Sequence, residues 1–113
     1  MRIALLLPAA AALAATLVAA GCGGKSDAAP VQTTNVAMAK SYRFSPEAIR
    51  VKAGDRVTWT NEDNFTHTVK VDGQSDHKVD RGDSVSIEFD KPGTYHYVCT
   101  LHSHDMSGTV IVR

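Results

Sequence analysis

The chain is expected to be all-β, and three observations predict a sandwich. Short stretches rich in β-branched and aromatic residues recur in rough alternation with polar ones. Turn-forming groups separate them: Gly54-Asp55, Asp72-Gly73, Arg81-Gly82-Asp83 and Lys91-Pro92-Gly93. No stretch holds the 3.6-residue apolar period of an amphipathic helix, and no internal repeat is visible. A series of short strands with regular turns is the pattern of two packed antiparallel sheets.

In order, strands are predicted over 37–42, 48–51, 56–60, 66–71, 84–89, 93–98 and 109–112. Alternation puts Val57 and Trp59 on one face of their strand and Tyr95, Tyr97 and Cys99 on one face of theirs, so these faces are expected to meet in the core. His96 then points outward. His77, in the polar run Ser75-Asp76-His77-Lys78, is also read as a surface residue, and Trp59 as core.

What precedes the strands is of another kind. Met1-Arg2 gives a minimal charged start, residues 3–20 are an apolar run rich in Ala and Leu, and Ala19-Ala20-Gly21-Cys22 supplies small residues before a cysteine. That pattern looks like a bacterial lipobox, with Ala19 where Leu is preferred. Residues 1–21 are therefore expected to be a lipoprotein signal peptide and Cys22 the acylated first residue of the mature chain. A spanning helix needs about 20 apolar residues, but this run is mostly Ala and carries Pro8. The expectation is an exported protein held to the membrane by its N-terminal lipid, on the periplasmic or cell-surface side.

Residues 22–35 are small, polar and Pro-containing without periodicity, and read as a flexible tether; residues 36–113 are left for one folded domain. Of the 12 Lys and Arg only Arg2 lies in the leader, so the mature chain carries 11 against 12 Asp and Glu. Nothing basic invites nucleic acid, and the interspersed signs describe a solvated surface. A monomer is expected. The two cysteines of an exported chain would ordinarily pair, but acylation of Cys22 leaves Cys99 free.

The chemistry is concentrated late in the chain, in Tyr95-His96-Tyr97-Val98-Cys99-Thr100-Leu101-His102-Ser103-His104-Asp105-Met106. A thiol, imidazole and thioether in one short turn, joined by an imidazole from elsewhere, are the donors of a blue-copper centre, because soft sulfur suits Cu(I) while imidazole suits both oxidation states. His67, in Asn64-Phe65-Thr66-His67-Thr68-Val69, is the candidate for the remaining donor.

Three stretches in this order carry a family resemblance: Phe44-x-Pro46-x-x-Ile49-x-Val51-x-x-Gly54-Asp55-x-Val57-x-Trp59-x-Asn61, then His67-Thr68-Val69, then Gly93-x-Tyr95-x-Tyr97-x-Cys99-x-x-His102 with Met106-x-Gly108. The chain resembles the small cupredoxins related to plastocyanin, amicyanin and halocyanin, over nearly everything after residue 36. The resemblance implies a Greek-key sandwich of about seven to eight strands. It implies one copper per chain, with His67, Cys99 and His102 as equatorial ligands and Met106 as the long axial one. It also implies that the backbone N–H of Thr68 donates to the Cys99 sulfur. The function implied is one-electron transfer between redox proteins. His102, on the turn leaving its strand, is expected to reach the surface as the electron's exit, and Phe65 and Leu101, which flank the ligands, are expected to form an apolar docking patch.

The loop departs from the family pattern. Six residues separate Cys99 from Met106, a length between amicyanin-like and plastocyanin-like loops, and a second imidazole, His104, stands at an azurin-like spacing from Cys99. His102 is preferred, because His104 lies two residues before Met106, too close for both to reach one ion. Two other functions use similar residues. A copper carrier or storage protein would hold the metal in an open site, and an enzyme would need a free position for substrate and an acid–base pair, which the sequence does not supply.

Overall fold

The computed structural model describes residues 29–113, so the leader and Cys22 lie outside the described residues. The strands are β1 (Val31–Gln32), β2 (Asn35–Ala39), β3 (Arg43–Ser45), β4 (Ala48–Val51), β5 (Asp55–Asn61), β6 (His67–Val71), β7 (Asp76–Val79), β8 (Ser84–Phe89), β9 (Gly93–Val98) and β10 (Ser107–Val112). They form a six-stranded sheet ordered β1-β4-β10-β9-β6-β7 and a four-stranded sheet ordered β3-β2-β5-β8. Among the described residues no helix is long and apolar enough to cross a membrane.

Alternation explains how the sheets meet. On β5, Val57, Trp59 and Asn61 are buried while Arg56, Thr58 and Thr60 face outward. The antiparallel partner β8 matches this pattern, pairing Ile87 with Val57 and Val85 with Trp59. On the outer face the same register brings hydroxyls together, Thr58 to Ser86 at 2.8 Å and Thr60 to Ser84 at 2.9 Å. From the other sheet, Tyr97 and Cys99 point inward as alternation predicts, and His96 is exposed. Tyr97 meets Phe44 and Trp59 edge-on, with centroids 4.7 and 5.1 Å apart. Each such ring or aliphatic side chain contributes about 1.5–3 kcal/mol by leaving water.

Tyr97 also dictates its neighbour. Burial pushes its phenol well above the ordinary tyrosine range, and across the ladder it faces Gly108. A Cβ at residue 108 would lie 2.4 Å from the Tyr97 ring and 2.8 Å from the Glu47 carbonyl. Glycine is needed there for space.

Three differences from the predicted strands have physical reasons. The 37–42 strand ends at Ala39, because Ser41 and Tyr42 turn with φ of 72° and 57°, a region most L residues avoid. β3 and β7 were not predicted, because each is only a few residues long and mostly polar, with a single buried apolar residue to signal a strand. β1 lies inside the stretch read as a tether and pairs in parallel with β4, Val31 opposite Ile49. His77, on β7, is half-buried.

Candidate metal centre

The loops at one end of the sandwich carry the chemistry. β5 ends at Asn61 and β6 begins at His67, so the intervening loop must deliver that histidine. Asn61, fully buried, organises it. Its Nδ2 donates to the carbonyls of Phe65 and Val79 at 2.8 and 2.9 Å, and its Oδ1 accepts from the Asp63 N–H at 2.8 Å. Asp63 is thereby turned inward, and its Oδ2 lies 2.8 Å from His67 Nε2.

Asp63 is buried, yet the bond to His67 holds its carboxyl below the usual carboxylate range. Burial opposes this, while the Asn64 N–H and the charges of His67 and Lys40 assist. An ionised Asp63 accepts the proton at His67 Nε2 and so selects the tautomer whose Nδ1 is free to bind a metal. That Nδ1 faces Cys99 Sγ at 3.7 Å.

The second loop follows β9. Cys99 is completely buried, and residues Thr100–His102 form a single 3₁₀ turn. Backbone bonds close the loop on itself: Cys99 N–H to Met106 O, His102 N–H to Cys99 O, and Met106 N–H to His102 O, each 3.0 Å. Met106 is fully buried beside the cysteine, His102 is half-buried and His104 is exposed.

The two loops are stitched together. The Thr68 N–H donates to Cys99 Sγ at 3.3 Å, the contact expected from the resemblance. The Thr100 N–H donates to Thr68 Oγ1 at 2.7 Å, the two hydroxyls are 2.8 Å apart, and Thr100 Oγ1 donates to Asp76 Oδ2 at 2.8 Å. The directions are fixed by proton count. A carboxylate can only accept, so Thr100 gives its proton to Asp76 and Thr68 must donate to Thr100.

The donor atoms of His67, Cys99 and His102 all lie within 4.8 Å of one another. Bonds of about 2.0–2.3 Å to nitrogen and thiolate at trigonal angles place such donors about 3.7 Å apart, which is the His67–Cys99 distance. One thiol and two imidazoles, two of the three residues fully buried, gathered with a sulfur-directed N–H, fit a copper ion. Sequence reading missed Asp63, which sits in the polar run Asn61-Glu62-Asp63-Asn64 and reads as an ordinary turn. It also missed Asp76 and Tyr42, whose roles depend on how the loops fold.

A family model described as a cupredoxin-like domain matches residues 9–112. The chain belongs to the cupredoxin family. Amicyanin-alpha of Methylorubrum extorquens is 39% identical over 115 residues, covering 92% of this chain and 95% of its own length. Plastocyanin of Scenedesmus fuscus is 33% identical over 84 residues, covering 62% of this chain and 86% of its own. Among solved structures, a purple cupredoxin from Nitrosopumilus maritimus superposes with a TM-score of 0.65 at 22% identity, over 72% of this chain and all of the other, a likeness of fold. The chain described here is a type 1 copper electron-transfer protein that binds one copper.

Proposed function

We propose that His67 through Nδ1, Cys99 through Sγ and His102 are the equatorial copper ligands and that Met106 is the weak axial one. The observation that carries this reading is the convergence of the three donor atoms within 4.8 Å. Copper, when bound there, supplies a one-electron step between Cu(I) and Cu(II). The chain's own residues do the rest. Asp63 orients one imidazole, the Thr68 N–H partly neutralises the thiolate, and the Thr68–Thr100–Asp76 bonds keep the two loops at a fixed separation in either oxidation state.

His102 is the ligand that reaches the surface, and it is the proposed electron exit. Around it Phe65 and Leu101 are each 57% exposed and Tyr42 is 38% exposed, an apolar patch on which a redox protein docks. The protein is proposed to be a carrier without enzymatic turnover, because a four-donor set leaves no position for a substrate. The leader and Cys22 support export and lipid anchoring on the periplasmic or cell-surface side, close to membrane-associated partners, and the protein is proposed to work as a monomer.

The test is to titrate the purified chain with Cu(II) and follow its visible spectrum. An intense thiolate-to-copper band reaching its maximum at one copper per chain, and bleached by ascorbate, is expected. A colourless copper complex would sink the ligand assignment. Met106→Leu is expected to retain the band and raise the potential; a lowered or unchanged potential would count against axial coordination.

A further inference from the structure

We propose that Tyr42 is a cap over the copper ligands, a positioning residue that holds the His102 ring in place and slows loss of the metal. The inference rests on the ligand set proposed above. Tyr42 lies in the three-residue connection between β2 and β3, whose last paired residues are Ala39 and Arg43. That turn is built unusually. Ser41 and Tyr42 are both left-handed, at φ 72° and 57°, in a place where such connections ordinarily use Gly or Asn. The turn therefore gains nothing from a tyrosine.

The ring explains the choice. Its centroid lies 4.4 Å from that of His102, 6.1 Å from that of His67 in an edge-on arrangement, and 6.2 Å from that of Phe65, nearly parallel. The two imidazoles are themselves 5.4 Å apart. One side chain thus touches both ligand histidines from outside the two loops that carry them. Burial does not account for it, since Tyr42 remains 38% exposed.

The mechanical consequence falls on His102. His67 is locked from behind by Asp63. His102 is half-buried and held by the backbone of its own turn, so swinging this ring outward is the easiest first step in opening the site. A ring packed 4.4 Å away blocks that swing. The strained backbone is the conformation that aims it there, and strain retained beside a functional group marks a conformation the surroundings enforce.

The experiment compares the copper-loaded full chain with Tyr42→Phe, Tyr42→Asn and Ser41→Gly. It follows transfer of copper, first reduced to Cu(I) with ascorbate, to a Cu(I) chelator, and the thermal midpoint of each apo-protein. Tyr42→Phe should release copper as wild type does. Tyr42→Asn should release it about two- to ten-fold faster, the equivalent of one lost aromatic contact, while its apo-protein melts no lower, because Asn tolerates the left-handed turn. Ser41→Gly should leave release unchanged.

Wild-type release by Tyr42→Asn would overturn the cap. So would an apo-protein of Tyr42→Asn melting well below wild type, since the ring would then be general packing. A wild-type chain that shows no thiolate–copper band would instead remove the ligand set and the cap with it.

Discussion

The two histidines proposed to bind copper sit in opposite mechanical settings. His67 opens strand β6, is completely buried, and is braced by a carboxylate that is itself fixed by Asn61. His102 ends a one-turn helix, is half-buried, and has an aromatic ring against its face. The difference separates two tasks. In the proposed reading, one imidazole sets geometry from the core and the other, half-buried, lies where a partner can approach.

Removing each ring in turn tests that division most severely. His67→Gly and His102→Gly should both lose the thiolate–copper band of wild type. Added imidazole should restore it in His102→Gly, whose gap faces solvent, and far less in His67→Gly, whose gap is enclosed. Equal rescue measured by absorption would erase the distinction.

A smaller effect comes from the brace. Asp63→Ala leaves His67 Nε2 unpartnered in the core and should cost about 1–3 kcal/mol of apo-protein stability in denaturant titrations. Copper affinity should fall about 10- to 100-fold, the usual cost of losing such a partner. Acid titration probes the same bond. Asp63 has a folded pKa depressed below its unfolded value, so its stabilisation is complete above the unfolded value, about 3.9. It is lost as pH falls from there through the folded value. Asp63→Asn should therefore flatten the acid limb of apo stability; an unchanged limb would show that other carboxylates dominate it.

Away from both histidines, Gly108→Ala should cost about 1–3 kcal/mol through collision with Tyr97 and the Glu47 carbonyl, read as a lower thermal midpoint with the copper band unaltered. The smallest change expected is Asp76→Asn. It keeps an acceptor for Thr100 and removes only an exposed charge, so the potential should rise slightly and the visible spectrum stay as it is. A large spectral change would mean that the outer carboxylate holds the ligands directly.

The parts of this design that were legible in the sequence are those in which residue type and spacing alone determine the outcome. Strands β4, β8 and β9 coincide with the predicted bounds because each alternates cleanly against a buried face. Cys99, His102 and His67 converge because thiol and imidazole in that order have few other uses. Strands β1, β3 and β7 were obscure for the converse reason: each is short with a single apolar residue, so the neighbouring strand rather than a run of apolar alternation defines it. Asp63 and Tyr42 were obscure because no local rule links a turn aspartate to a histidine four residues on outside a helix, and a tyrosine after Lys40-Ser41 looks like the end of a strand.

The position of β10 has a consequence in time. It is clasped between β4, which it meets in parallel, and β9, and it starts immediately after Met106. Met106, the proposed axial donor, directly precedes that strand and is therefore set in place only when β10 has joined the sheet. The proposed four-donor set is thus completed last by the strand that closes the sheet.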